Sequence, residues 1–278
     1  MFSRRRDEWV MQNHYALVYS MLNPKADALF VLGDLIDNGE FEYEKSAIVD
    51  YRQRFDEIFE PYHFCPVYSV PGNHDVGFNL NNSRNFEDFF IEPRPKPSFK
   101  LRHLVFNDKI SSQVDFILLN SMAMDIDLKA IRADAIKVAK NLRKNGRRPI
   151  LLQHIPLNCG TWTDECASNF QPISSCLHNN ASAFVKSALN PRLAFSGHIH
   201  RNCHAESKHT EEYTVGPFWK GYRDCPTMTL LVANKNKYAI SRCHLPCNRT
   251  VSAIYFVSFG VLFSFLLLAA FILHDCRK

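Results

Sequence analysis

A run of 23 residues without a charged side chain, Val251–Leu273, lies near the carboxyl terminus of the 278-residue chain. In an α-helix, which rises ~1.5 Å per residue, such a run reaches ~35 Å, and the hydrocarbon core of a bilayer is ~30 Å thick. A buried helix of a globular domain seldom continues so far without a polar face. We therefore predict one C-terminal transmembrane helix over residues 250–273, with a short tail of residues 274–278 beyond it.

The remaining residues, 1–249, are expected to form a globular domain. Hydrophobic residues make up 46% of the chain and charged residues 22%, which excludes a disordered or fibrous protein. The formal net charge is +5, and the 33 basic and 28 acidic side chains are intermixed along the sequence. Because no basic block is present, we do not expect nucleic acid as a partner.

Short apolar runs alternate with amphipathic stretches along this domain. The runs have the length and composition of buried strands, and they are Ala28–Leu32, Val67–Val70, Phe116–Leu119, Ile150–Leu152 and Leu193–Phe195. Between them, residues 44–59, 128–144 and 181–189 have helical periodicity. Strands that alternate with helices indicate an α/β fold. Residues 227–232 and 238–244 predict a β-hairpin after it.

Polar side chains follow these runs directly, at the carboxyl ends of strands where open α/β sheets place their sites. They are Asp34, Asn73, His74, His154, His198 and His200. All are oxygen or imidazole donors and none is a thiolate, which suits Mn²⁺, Fe or Zn²⁺ better than copper or an iron–sulfur cluster. A single histidine at a strand end is usually structural, whereas four strand ends with such side chains predict a metal centre.

The order and spacing of these residues resemble a known signature. Gly33-Asp34, Gly72-Asn73-His74-Asp75, His154 and Gly197-His198-Ile199-His200 are similar to the GD, GNH(D/E), H and GHxH motifs of the calcineurin-like metallophosphoesterases. The resemblance implies layered β-sheets flanked by helices and two divalent metal ions that act on a phosphate ester. It also implies that Asp34 bridges the metals. Asn73, His154 and His198 would complete the second metal site, and His200 would bind the first metal.

By the same resemblance His74 is a catalytic residue rather than a metal ligand. Its imidazole would donate a hydrogen bond to the phosphoryl or leaving-group oxygen. We name Asp75, which follows it directly, as a second catalytic residue that would orient this imidazole. The alternative interpretation of Asp75 is an ordinary turn residue.

One motif of the family, D-x-H at the end of the first strand, does not occur in Met1–Phe30. Residues 1–22 predict an amphipathic helix instead, and they lack the apolar segment of a signal peptide. Without D-x-H the first metal would keep only Asp34 and His200. We therefore expect that the sequence is truncated at its amino terminus and that the chain as written is inactive. The alternative is a one-metal or non-catalytic relative, such as a scaffold on the same fold.

Within the family the chain resembles a group of enzymes that act in the early secretory pathway. The resemblance lies in Val31–Gly39, Gly72–Phe78, Leu151–Leu157 and Ser241–Pro246. It implies a lumenal, Mn²⁺-dependent phosphodiesterase that removes ethanolamine phosphate from the second mannose of GPI anchors, so that GPI-anchored proteins travel from the endoplasmic reticulum to the Golgi. The implied partners are GPI-anchored proteins and the membrane. The implied location spans endoplasmic reticulum exit sites, the intermediate compartment and the Golgi.

Two sets of observations disagree about the compartment. Nine cysteines and N-x-S/T sequons at Asn81, Asn180 and Asn248 favour an oxidising lumen and a glycoprotein. The missing leader and the basic residues before the apolar run favour a domain that faces the cytosol. A membrane-anchored metallophosphatase that acts on cytosolic phosphoproteins or nucleotides therefore stays open, and it requires free thiols and unglycosylated sequons.

Overall fold

The computed structural model describes residues 2–22, 26–35, 45–59, 65–76, 102–107, 113–124, 128–158, 162–163, 176–207, 209–218 and 225–275. Its helices are α1 (Phe2–Leu22), α2 (Lys45–Phe59), α3 (Asn73–Val76), α4 (Leu128–Lys144), α5 (Asn179–Leu189) and α6 (Asn248–Asp275). Its strands are β1 (Leu29–Val31), β2 (Val67–Ser69), β3 (Arg102–Asn107), β4 (Gln113–Leu118), β5 (Ile150–Leu152), β6 (Trp162–Thr163), β7 (Leu193–Ser196), β8 (His204–Glu206), β9 (Glu211–Thr214), β10 (Thr227–Ala233) and β11 (Tyr238–His244).

A seven-stranded mixed sheet with the order β3-β4-β5-β7-β9-β8-β6 forms the centre of the described structure. Its middle strands β4, β5, β7 and β9 run parallel to one another, and β3, β8 and β6 continue the sheet in antiparallel pairs. Parallel strands are usually buried on both faces, which explains why β5 and β7 consist almost entirely of apolar residues. The carboxyl ends of the parallel strands meet at one edge.

The two faces of this sheet carry separate hydrophobic clusters. On one face, side chains of β4, β5 and β7 pack against α1, α2 and α5, with Tyr15, Phe59 and Val185 among the buried residues. On the other face, Phe116, Leu152 and their neighbours pack against β1, β2 and the β10–β11 hairpin. The sheet is therefore the middle layer, with helices on one side and smaller sheets on the other.

The smaller sheets are a parallel pair, β1 with β2, and an antiparallel hairpin, β10 with β11. The hairpin closes around Asn234, whose side-chain oxygen accepts hydrogen bonds from the backbone N–H groups of Asn236 and Lys237. At the open end of the hairpin a disulfide joins Cys225 to Cys247, immediately before α6. This disulfide ties the start of α6 to the domain.

The α/β prediction is confirmed, as are the five strands, the hairpin and the helices, whose bounds agree to within a few residues. The strands β3, β6, β8 and β9 were not predicted. Helix α6 coincides with the uncharged run. No helix in the described ranges is long and apolar enough to cross a membrane. The transmembrane helix therefore stays a prediction.

Candidate metal centre

The predicted metal ligands lie where two pairs of parallel strands end. Strands β1 and β2 are hydrogen-bonded neighbours, and Gly33-Asp34 follows β1 while Asn73 opens the short helix α3 after β2. Strands β5 and β7 are neighbours in the large sheet, and they lead to His154 and to His198. Because the two sheets are stacked with their carboxyl ends on the same side, the four segments converge.

Four donor atoms from these segments form a continuous chain of short distances. The Nε2 atom of His154 lies 3.3 Å from Oδ2 of Asp34 and 3.1 Å from Oδ1 of Asn73. The same Asn73 oxygen lies 2.9 Å from Nδ1 of His198. Two ligand atoms that each lie ~2.1 Å from one cation, at octahedral or tetrahedral angles, are separated by about 3.0–3.4 Å. Two of the observed spacings, 3.1 and 3.3 Å, lie in that range, and the third, 2.9 Å, lies just below its lower limit.

The amide oxygen of Asn73 is essential to this arrangement. In the described part of the chain, no three side chains of the types His, Cys, Asp and Glu come together closely enough to hold a metal ion by themselves. Asn73 is buried, and its oxygen connects His154 with His198. A mixed set of carboxylate, amide and imidazole donors fits a divalent cation of the Mn²⁺, Fe or Zn²⁺ class.

His154 presents the correct tautomer for a metal ligand. Its Nδ1 atom lies 2.6 Å from the carbonyl oxygen of Leu32, and because a carbonyl only accepts, Nδ1 carries the proton. The lone pair of Nε2 therefore points towards the side-chain oxygens of Asp34 and Asn73. These three electron-rich atoms repel one another unless a proton or a cation lies between them. Without metal, a proton occupies this place. Burial has the largest single effect on the pKa of His154 and lowers it, but the Asp34 carboxylate, the Leu32 carbonyl and Asp75 together raise that pKa above its usual value.

The charges around this point also favour a cation. Burial raises the pKa of Asp34, but His154 and the backbone N–H of His74 stabilise the carboxylate and lower that pKa to about 2. Burial and the nearby His154 lower the pKa of His198 to about 4, so His198 is neutral near pH 7. The ionised Asp34 carboxylate and the neutral His198 imidazole are in the protonation states that bind metal, and His154 would lose its Nε2 proton when metal binds.

The backbone is strained at the same positions. Asp34, His198 and His200 have φ angles of 53°, 66° and 53°, and Asn190 is the other described residue besides glycine with a positive φ. Such conformations cost of order 1–3 kcal/mol each and concentrate at functional sites. Glycines make the close approach possible, because a Cβ at Gly72 would lie 2.1 Å from Oδ1 of Asp34.

A family model decides the assignment. Residues 11–202 match the model described as calcineurin-like phosphoesterase, and this range contains all four converging segments. The chain belongs to the calcineurin-like phosphoesterase family. It is therefore a hydrolase of phosphate esters, and the prediction of the family from the sequence motifs is confirmed.

Curated relatives that the chain matches include proteins named metallophosphoesterase 1 and homologs of it. Metallophosphoesterase 1 of Ailuropoda melanoleuca is 29% identical over 293 residues, which cover 92% of this chain and 71% of that protein. A metallophosphoesterase 1 homolog of Drosophila melanogaster is 28% identical over 295 residues, covering 97% and 76%. Among solved structures, GAP50, the anchor in the inner membrane complex of Plasmodium, has a TM-score of 0.52 at 11% identity, covering 83% of this chain and 73% of that one. That likeness concerns the fold alone.

Calcineurin-like phosphoesterases use two divalent metal ions. The four converging donors would hold the second metal, and they agree with the predicted ligands. His200, the predicted ligand of the first metal, is near enough to Asp34 for the carboxylate to raise its pKa, although burial lowers that pKa more strongly. The described residues before β1 form helix α1, so in this range no strand end offers a D-x-H motif. The completeness of the first metal site stays a prediction.

His74 and Asp75 lie in the first turn of α3. The backbone N–H of His74 donates to Oδ1 of Asp34 at 3.0 Å, which places the half-buried His74 beside the centre without using its imidazole as a ligand of the four-donor set. The buried Asp75 carboxylate accepts hydrogen bonds from the N–H groups of Leu35, at 2.8 Å, and Gly72, at 2.7 Å. These bonds give Asp75 a geometry that holds two ligand-bearing loops together, in addition to its predicted role beside His74.

Proposed function

We propose that this chain is a membrane-anchored, Mn²⁺-dependent phosphodiesterase that removes ethanolamine phosphate from the second mannose of GPI anchors. The spacing of 2.9–3.3 Å between four donor atoms at the ends of β1, β2, β5 and β7 supports the metal dependence. The match to the calcineurin-like phosphoesterase model supports the hydrolysis of a phosphate ester. The substrate is supported by the sequence resemblance and by similarity to proteins named metallophosphoesterase 1 over 92–97% of this chain.

Four residues of the centre would bind the metal ion, and a fifth would donate a proton. Asp34, Asn73, His154 and His198 would hold a divalent ion, which when bound polarises the phosphate ester and supplies a hydroxide nucleophile. His74 donates a proton or hydrogen bond to the oxygen that gains charge as the ester bond breaks. Mn²⁺ accepts the mixed oxygen and imidazole ligands present here.

The cysteines support a lumenal domain. Cys225 pairs with Cys247, and Cys176 and Cys203 are also disulfide-bonded, while Cys65 and Cys243 are free. Structural disulfides persist in oxidising compartments such as the lumen of the secretory pathway. We therefore propose a lumenal domain in the early secretory pathway, with GPI-anchored proteins as substrates, in preference to a cytosolic phosphatase.

The proposed anchor is the uncharged run within α6. Its described apolar side chains are strongly exposed, with Phe256 at 80% and Phe259 at 70% of their surface, which supports surroundings other than water. A GPI glycan lies close to the bilayer, so an anchored enzyme would meet it at a high effective concentration.

Metal-dependent hydrolysis of a generic phosphodiester tests the reaction class. In detergent, a form of the protein extended at its amino terminus to include the D-x-H motif should hydrolyse bis(p-nitrophenyl) phosphate with Mn²⁺. EDTA should abolish the activity of this extended protein until Mn²⁺ is restored, and the chain as written should be inactive. Asp34→Asn should be inactive, whereas His209→Ala, a change at an exposed histidine that belongs to none of the motifs, should match the unaltered protein. Activity that persists in EDTA would overturn the metal mechanism.

Mass spectrometry of a GPI-anchored protein tests the substrate. Incubation with the extended protein and Mn²⁺ should remove ethanolamine phosphate from the second mannose and leave the other mannoses unchanged. Hydrolysis of the generic diester without this loss would keep the phosphodiesterase and overturn the GPI substrate.

Glycosylation tests the compartment. Asn180 lies in the first turn of α5 and is exposed, whereas Asn81 lies outside the described residues. Endoglycosidase treatment of the chain from cells should increase its mobility, and Asn180→Gln should remove part of that shift. A chain without glycans and with reactive thiols at Cys225 and Cys247 would indicate the cytosol.

A further inference from the structure

Glu212 is a carboxylate that is completely buried in the large sheet. It lies on β9, with 0% of its surface exposed, and its strand neighbours are Ala194 on β7 and Ala205 on β8. Two alanines leave room for a longer side chain between them. A buried carboxylate is destabilising by several kcal/mol unless donors surround it, so its partners define what it does.

The hydrogen bonds that the described residues donate to this carboxylate come from segments that lead to or from a metal ligand. Oε1 accepts the backbone N–H of Leu157 at 2.7 Å, and Oε2 accepts the N–H and side-chain amide of Asn158 at 3.0 and 2.8 Å. These residues follow His154 by three and four positions. The hydroxyl of Ser196, two positions before His198, donates to Oε1 at 3.4 Å.

The segment after His154 is fixed from its other side as well. The hydroxyl of Ser182 on α5 donates to the carbonyl oxygen of Leu157 at 2.6 Å, and Lys186 donates to the side-chain oxygen of Asn158. Asn158 therefore lies between an ammonium group and the Glu212 carboxylate. This network specifies one position for residues 155–158 rather than merely filling the core.

We propose that Glu212 is a positioning residue of the metal centre, whose buried carboxylate ties the segment after His154 to the strand end before His198 and thereby sets the distance between these two imidazoles. Their ring centroids are 5.1 Å apart, and both rings point a nitrogen at the Asn73 oxygen. The inference rests on the phosphoesterase centre described above and does not depend on a GPI substrate.

Glu212→Gln keeps the shape of the side chain but places an NH₂ group against N–H donors. We expect the affinity of the full chain for Mn²⁺, measured by calorimetry at pH 8, to fall ~10–100-fold, the range for loss of a partner outside the ligand set. If the unaltered protein binds no Mn²⁺, the metal centre itself is refuted. If the unaltered protein binds Mn²⁺ and Glu212→Gln binds it equally well, only the positioning role is refuted.

Thr210→Val is the matched control. Thr210 lies two residues before Glu212, directly before the first residue of β9, whereas the metal ligands follow the carboxyl ends of their strands. Its buried hydroxyl donates to the carbonyl oxygen of Pro191 at 2.7 Å. Both substitutions should lower the Tm of the metal-free chain, but Thr210→Val should leave Mn²⁺ affinity within about 2-fold. Equal losses of affinity in the two variants, or none in Glu212→Gln, would overturn the proposal.

Asn158→Ala keeps the proposal testable if Glu212→Gln does not fold. It removes one donor of the carboxylate and leaves both backbone N–H groups, so Mn²⁺ affinity should fall by a smaller factor, about 3–10-fold. In the protein extended to include D-x-H, kcat should fall while KM changes little. In the Glu212→Gln background the same change should have little further effect, because the pair acts as a unit. Unchanged Mn²⁺ affinity in Asn158→Ala would refute the positioning role.

Discussion

The imidazole of His154 donates from Nδ1 to the carbonyl oxygen of Leu32 at 2.6 Å, and this bond joins the end of β5 to the end of β1. It links the two sheets at the point where their ligands converge. The same carbonyl lies 3.0 Å from where a Cβ at Gly197 would be, so the loop before His198 passes close by. One backbone oxygen thus fixes both the tautomer of a ligand and the spacing of three ligand-bearing segments.

Removing a ligand should release the metal. Asp34→Asn removes the negative charge of one donor of the four-atom set, and His198→Ala removes another donor entirely. We expect Mn²⁺ affinity to fall by more than the ~10–100-fold that outer partners contribute. Equilibrium dialysis with metal analysis measures it. His178→Ala, at an exposed histidine before α5, is the control and should bind Mn²⁺ normally.

His74→Ala should separate catalysis from metal binding. The backbone N–H of His74, not its ring, contacts Asp34, so the substitution keeps that bond. We expect Mn²⁺ content to stay near that of the unaltered chain. In the protein extended to include D-x-H, kcat should fall ~10²–10⁴-fold, the scale of general acid–base catalysis. Loss of bound Mn²⁺ from His74→Ala would show that the imidazole is a ligand instead.

Asp75→Asn should loosen both loops that the carboxylate holds. An amide supplies one acceptor where the carboxylate supplies two, so the N–H of either Leu35 or Gly72 loses its partner. We expect a loss of about 1–3 kcal/mol in the free energy of unfolding, together with weaker Mn²⁺ binding.

The alternative role of Asp75 predicts a different pattern. If Asp75 acts only by orienting the His74 imidazole, Asp75→Asn should leave stability and Mn²⁺ affinity unchanged. Only kcat and its pH profile would then change. Denaturant unfolding and calorimetry on the same preparation decide between the two.

The sequence predicted those residues of the site that can be recognised by their type and by their position after an apolar strand. Asp34, Asn73, His154 and His198 follow apolar strands, and parallel strands bring their ends together. Glu212 gave no such signal. Glutamate is unfavourable in strands, and β9 reads Glu-Glu-Tyr-Thr, which resembles a surface turn. Its burial depends on N–H donors 54 and 55 residues away in the chain, which only the folded structure brings together.

Gly72→Ala should prevent assembly of the centre. The added Cβ would lie 2.1 Å from Oδ1 and 2.4 Å from the backbone nitrogen of Asp34, and backbone cannot move aside as a flexible side chain can. We expect loss of Mn²⁺ binding and a lower Tm. Gly146→Ala is the comparison, since its φ of 62° imposes backbone strain but its Cβ would meet nothing within 4 Å. That variant should lose a little stability and keep its metal affinity.

Glu212 should make the stability of the metal-free chain depend on pH. Burial raises the pKa of Glu212 from 4.5 to about 7, against the opposing effect of its hydrogen-bond donors and of the Lys186 ammonium group. A pKa that is higher in the folded state means that the folded chain binds this proton more tightly than the unfolded chain does. The added stability is therefore fully present below pH ~4.5 and is lost as the pH rises through about 7.

The difference between the unaltered chain and Glu212→Gln isolates this effect, because glutamine does not titrate and the other groups contribute equally to both. Denaturant unfolding in EDTA between pH 5 and 8.5 should show the unaltered chain losing about 3 kcal/mol relative to the variant. Thr210→Val should follow the pH dependence of the unaltered chain. A difference that is constant with pH would mean that the four donors keep Glu212 ionised throughout, and its pKa would then lie below the measured range.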